Sequence, residues 1–331
     1  MSKFLYLTGG RQNVGTDSYE TKRCNAALLL QVNVETKKVT KLIEYVTPIE
    51  YKAEVDASVV FKAGSIHGDK IYLCTTTEVL IYRLSDMELL HHISHPYFND
   101  LHHVCPGNEN TILVACTGLD AVFELSLDGS LVNEWSVLAD DIWTRFSKDT
   151  DYRKILSTKP HYSHPNFLFS IENEIYCNRL MQRDAVCLSN SKLKSFNYEI
   201  QPGHDGLVRD DKVYFTTVNG NILIFDALGR KCIKKIDLNE IYNVTYALGW
   251  CRGIEVLDEN RLIVGFSRLR PTKWKENVDW VRHHLPFKKS KPELATRIAC
   301  INIPESVVEW TINLEENDFG EIFSIMSDAY T

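Results

Sequence analysis

The chain has 331 residues, of which 44% are hydrophobic and 24% charged, and a formal net charge of −7. That is enough apolar material for a sizeable core, and the acidity gives no whole-molecule field for binding nucleic acid. No apolar run approaches the roughly 20 residues that span a bilayer, and Phe4–Leu7 is too short for a secretory signal, so neither membrane nor export is expected.

Strand signals begin at once. Phe4-Leu5-Tyr6-Leu7 reads as a strand, residues 9–24 as a long connection, and Ala27-Leu28-Leu29-Leu30 as its partner. Lys70-Ile71-Tyr72-Leu73-Cys74 then pairs with Val79-Leu80-Ile81-Tyr82, and Thr111–Ala115 with Ala121–Leu125. The same couple returns as Glu174–Cys177 with Ala185–Leu188, as Lys212–Phe215 with Ile222–Phe225, and as Arg261–Val264 with Ile298–Ile301. Turns such as Leu127-Asp128-Gly129-Ser130 and Ala227-Leu228-Gly229-Arg230 lead from each third strand to a fourth. The period is roughly 40 residues, which is the repeat of a propeller blade.

Five units carry a first strand of their own. The N-terminal pair has none ahead of it, whereas Glu321-Ile322-Phe323-Ser324-Ile325 is a spare first strand at the other end. The expected fold is therefore all-β: a single six-bladed propeller over residues 1–331, closed by pairing the C-terminal strand with the N-terminal blade. Closure removes the edges that an open array would expose.

In propellers the first strand of each blade lines the central channel, and the loops entering first strands share a face with those joining second strands to third. The unusual residues of this chain fall on that face. First strands open with Asp100-Leu101-His102-His103-Val104, Ser163-His164-Pro165-Asn166, Gly203-His204-Asp205-Gly206 and Cys251-Arg252-Gly253-Ile254-Glu255. Neutral imidazoles from separate strands can build an open metal site, so His103, His164 and His204 are the candidate ligands of a divalent transition metal (Fe, Zn or Mn). His161 is near enough to join them. Whether His102 or His103, and His164 or Asn166, faces the channel stays open at this level.

Arg179, Arg268 and Arg11 each follow a second strand, and Arg252 starts a first one. Guanidinium groups clamp carboxylate, sulfate or phosphate at two points, which suggests a small anionic substrate held by Arg252, Arg179 and Arg268, with Asn166 beside them. His103 and Glu255 are the candidate catalytic groups. Asp120 and Asp184 begin matching third strands and read as structural partners of arginines. Long inserts near 137–162 and 268–296 fall on the same face, and the second carries His283 and His284 as a candidate lid. The nine cysteines are scattered with no CxxC pair, which fits reduced thiols and a cytoplasmic protein.

The stretch from His102-His103-Val104-Cys105-Pro106-Gly107-Asn108 through Thr111–Leu125 to Asp128-Gly129-Ser130-Leu131-Val132 resembles blades of arylsulfotransferase-like propellers, and is similar to the wider six-bladed group that includes gluconolactonases. About one blade matches closely. The resemblance implies the six-bladed fold and, for sulfuryl transfer, a channel histidine as nucleophile; His103, His204 and Arg252 are the positions that match. Three readings follow. The first is a metal-dependent enzyme acting on a small anion at the channel mouth, with the metal polarising the substrate or activating water. The second is a metal-free transferase or hydrolase using histidine. The third is a non-catalytic propeller whose upper face docks a partner protein.

Overall fold

The structure, a computed structural model, describes residues 3–12, 24–54, 57–108, 110–199, 202–244, 246–269 and 294–328. In chain order the strands are β1 (Phe4–Gln12), β2 (Cys24–Asn33) and β3 (Val39–Tyr45); then β4 (Ser65–His67), β5 (Lys70–Cys74), β6 (Val79–Arg83) and β7 (Leu89–Ile93). They continue as β8 (Leu101–Pro106), β9 (Thr111–Cys116), β10 (Ala121–Ser126) and β11 (Leu131–Ser136); β12 (Pro165–Ile171), β13 (Glu174–Arg179), β14 (Asp184–Cys187) and β15 (Phe196–Asn197). The last are β16 (Gly203–Arg209), β17 (Lys212–Thr217), β18 (Asn221–Asp226) and β19 (Cys232–Asp237); β20 (Trp250–Val256), β21 (Arg261–Ser267), β22 (Arg297–Asn302) and β23 (Val307–Asn313); and finally β24 (Glu321–Ser327).

These strands make six antiparallel sheets of four, a six-bladed propeller. Every second and third strand expected from the apolar repeat is present. The ring closes as the spare strand requires: the order in the first blade is β24-β1-β2-β3, with Leu5 opposite Ser327 and Leu7 opposite Ile325. Residues 9–12 and 24–26 continue the β1–β2 ladder rather than forming loop. The candidate lid residues His283 and His284 lie outside the described residues, as does most of the 268–296 insert. Among the described residues no helix is long and apolar enough to cross a membrane.

The blades hold together because β-branched, leucine and aromatic residues alternate on both sheet faces and pack between neighbours. Between the fourth and fifth blades, Tyr176, Phe196, Phe215 and Phe225 form one buried aromatic cluster, with Phe196 and Phe215 rings 5.8 Å apart in a tilted arrangement. Between the sixth blade and the first, Leu5, Leu7, Ile263, Ile298 and Ile322 share a core.

The inner strands share a device that shapes the channel. Five of the six break register at the same level: at Phe323 in β24, His102 in β8, Asn166 in β12, within Asp205–Gly206 in β16, and within Arg252–Gly253 in β20. A bulge inserts one extra residue, bends the strand and re-aims a side chain. Left-handed backbone accompanies it at Asp100 (φ 48°), His164 (φ 59°), Asp205 (φ 63°) and Gly253 (φ 77°). For the non-glycine residues this conformation is sparsely populated, and such strain gathers at functional sites.

Candidate functional site at the upper channel mouth

Each blade contributes one side chain to the upper mouth: Phe323, Lys62, His102, His164, His204 and Arg252. Five of them line a cleft of about 90 Å³, and His204 stands against His102. The loop between β11 and β12 supplies Arg153, Ile155, Leu156, Ser157, Lys159 and His161, so the 137–162 insert does border the mouth.

The ring of His102 is the hub. Its centroid lies 5.3 Å from that of His164, 5.1 Å from His204 and 5.8 Å from Phe323, and His161 lies 5.7 Å from His164. Two cations complete the ring, Lys62 with its Nζ 4.6 Å and Arg252 with its Cζ 4.8 Å from the centroid of Phe323. Lys62 also pairs with Asp100 at 3.2 Å.

Burial sets the protonation. Desolvation drives the pKa of His102 well below the usual imidazole value, and Lys62, His204, His164 and Arg252 push it the same way. Burial takes His164 down to about 3 although its edge meets the cleft, and lowers His204 as well. The imidazoles are therefore neutral at pH 7. His204 Nδ1 lies 3.5 Å from Asp205 Oδ1, and Asp205 is fixed in turn by Thr216 Oγ1 at 2.5 Å and the Gly253 amide at 2.9 Å, both donating to its Oδ2. A proton on Nδ1 faces that carboxylate, which leaves Nε2 as the basic nitrogen. His204 Nε2 and His102 Nδ1 are buried and make no hydrogen bond within the protein.

Asp120 positions His164. Its carboxylate accepts the amide N–H groups of Tyr162, Ser163 and His164 at 2.8, 2.9 and 2.9 Å, and Arg145 Nη1 donates to it at 2.8 Å. Those bonds, with the Arg145 guanidinium, hold its carboxyl below the usual range against the opposing effect of burial. Replacing Asp120 by Ala strands three amides and a half-buried arginine, so a loss of about 3 kcal/mol is expected, read from the urea midpoint at pH 7.

The other expected residues are placed elsewhere. His102, not His103, joins His164 and His204. The bulge at His102 reverses the parity of β8, so His103 turns into a second cavity of about 230 Å³ lower in the channel. There its ring stacks on Phe167 at 3.8 Å, and Nδ1 accepts the Leu168 amide at 3.1 Å. Glu255 also lines the lower cavity, bound by Arg209 Nη2 at 2.9 and 3.0 Å, and burial raises its pKa. Neither His103 nor Glu255 reaches the upper site. Arg179 is taken up by Asp184 at 2.8 and 2.6 Å and by the Val137 carbonyl at 2.7 Å, and Arg268 by Glu315 at 2.7 Å. Asn166 is fully buried and donates to the Gly203 carbonyl at 3.2 Å, outside the cleft lining. Among the described residues, no three His, Cys, Asp or Glu side chains stand where they could hold a metal ion. Sequence reasoning missed Lys62 and Phe323, because neither belongs to a motif. Only their equivalent places at the start of first strands mark them.

No protein-family model matches the chain, and no curated protein sequence does. Among solved structures it is similar to a protein of unknown function from Bacteroides caccae, at 13% identity and a TM-score of 0.61 over 98% of each chain. It is also similar to a chain of a nidogen/laminin complex, at 8% identity and a TM-score of 0.57 over 97% of each chain. At these identities the likeness is one of fold alone.

Proposed function

We propose that the upper mouth is an active site for a small anionic substrate, in which Lys62 and Arg252 hold the anion and neutral imidazoles move a proton, His102 and His164 at the cleft and His204 behind His102. The observation that carries this reading is the ring itself, where Lys62 and Arg252 face three neutral histidines at one level of the channel, with the carboxylates of Asp100, paired to Lys62 at 3.2 Å, and Glu321 in the same lining. A cation pair there favours an anion, and buried imidazole nitrogens with no protein partner are costly unless something accepts or donates to them. His204, with Asp205 behind its Nδ1, has the arrangement of a general base oriented by a carboxylate.

Titration with inorganic phosphate and sulfate tests this. Binding should weaken about 10- to 100-fold in Lys62→Ala and in Arg252→Ala, the usual range for losing a charge-assisted hydrogen bond. His204→Ala should keep most of the affinity. Binding that ignores both cation variants would remove the proposal.

A second reading keeps the metal. His102, His164 and His204 do not stand where they could hold a divalent transition metal (Fe, Zn or Mn), so this reading requires their side chains to rearrange around the ion. Lys62 and Arg252 oppose a cation at the same spot. Stoichiometric metal in the purified protein, with anion affinity lost to chelator, would favour this reading over the first. We also place the protein in the cytoplasm, a reading supported by nine free thiols of which seven are buried.

A further inference from the structure

The cleft has two unlike halves. At its floor are Lys62, Arg252, His102 and His164, and along its outer wall stand Ala53, Ala57, Val60, Ile155 and Leu156. Ile155 and Leu156 are each 36% exposed, an unusual position for two adjacent large aliphatic side chains beside a charged floor. The enclosed space of about 90 Å³ is far below the roughly 300–1,000 Å³ of pockets that engulf a drug-sized ligand. It takes a head group only, and the remainder of any larger ligand lies outside that space.

The wall also selects the kind of tail. Its large apolar side chains, Val60, Ile155 and Leu156, are aliphatic, and Arg153, Ser157 and Lys159 of the same loop flank the last two. Phe323 is the one Phe, Tyr or Trp among the described lining residues, and its ring already carries Lys62 and Arg252 at 4.6 and 4.8 Å. No aromatic platform is left for a substrate ring. We infer that the substrate is a monomeric amphiphile, a small anionic head group bearing an aliphatic chain, with the head between Lys62 and Arg252 and the chain along Val60, Ile155 and Leu156. This rests on the anion site proposed above and names its substrate class.

The experiment is calorimetric titration of the full chain with inorganic phosphate, then butyl, hexyl and octyl phosphate below their aggregation limits, with phenyl phosphate, pyrophosphate and vesicles containing anionic lipid as comparators. Affinity should rise about two- to fourfold per methylene over the first few carbons, as expected for a half- to fully buried chain. Octyl sulfate and octanoate then identify the preferred head group. In the double variant Ile155→Ser with Leu156→Ser, both sites being partly exposed, the chain-length gain should vanish while inorganic phosphate binding stays unchanged. Affinity independent of chain length would overturn the inference and leave the anion site standing. So would phenyl phosphate or pyrophosphate binding more tightly than hexyl phosphate, or tight binding to vesicles without binding to the soluble esters. No binding of any anion would overturn both.

Discussion

A chain shortened to end at Gly320 should fail to form the closed, soluble ring. Loss of β24 uncovers Leu5 and Leu7 on β1 and removes Ile322, Phe323, Ile325 and Met326, each no more than 6% exposed. Burial of four such side chains contributes about 6–12 kcal/mol, at 1.5–3 kcal/mol each. That is comparable with the whole stability of a typical domain, about 5–15 kcal/mol. The polar losses add to it, because Thr8 Oγ1 and Ser324 Oγ lie 2.7 Å apart across the closure, and Ser324 Oγ accepts the Gly64 amide at 3.2 Å from the next blade. The open edge of β1 would then be a template for pairing with other chains. Expression should yield aggregate, and a peptide covering residues 319–331, added during refolding, should restore a monomer with the parent melting temperature. A truncated chain that melts cooperatively within a few degrees of the parent would show that closure does not govern stability.

The fold was legible because period-two apolar patterning and a repeat of second and third strands are local signals. The closing strand was legible by bookkeeping: one pair lacked a first strand and one first strand lacked a pair. The site was only half legible, for a physical reason. Which of His102 and His103 enters the upper mouth depends on a bulge, and a shift of one residue sends every later side chain on that strand to the other side. Nothing in Leu101-His102-His103-Val104 announces the bulge. The arginines misled for a different reason. Arg179 and Arg268 match Arg252 in type but stand beside Asp184 and Glu315, and distance in the chain hides the second of these partners. Arg252 differs in lying within a bulge on an inner strand. Lys62 was invisible because β4 is only three residues long and its approach, Val60-Phe61-Lys62-Ala63, carries no turn or repeat signal.

The stability of the protein should fall as pH drops from about 6.5 toward 4.5. The cause is the set of histidines buried as neutral rings. His103 is 1% exposed, and burial pushes its pKa from 6.5 down to about 3. Below pH 6.5 the unfolded chain therefore binds a proton that the folded chain refuses, and stability drops until the folded value is reached. Two pH units into that window, His103 alone costs about 2.7 kcal/mol, at 1.36 kcal/mol per unit. His102 and His204, no more than 2% exposed, are shifted in the same direction and add to the loss; His164, open on one edge, adds less. Asp120 does not offset this, since its depressed carboxyl contributes stability that persists above about 3.8 and is lost only at lower pH, whereas buried Glu255, whose pKa is raised, takes up its proton earlier in the folded chain and offsets part of the loss. Urea melts at pH 7.5 and 5.0 should differ by several kcal/mol, and His103→Gln should remove about one proton from the slope. Equal stability at the two pH values would mean that the rings are not held neutral. The upper and lower histidines should also separate. Sulfate, a dianion at both pH values, bound beside Lys62 and Arg252 makes an imidazolium at His102 or His164 less costly, so it should restore more stability at pH 5.0 than at pH 7.5 in the parent and in His103→Gln alike. That differential recovery should be absent in Arg252→Ala, which ties the acid sensitivity of the fold to the same ring of side chains proposed to bind the substrate.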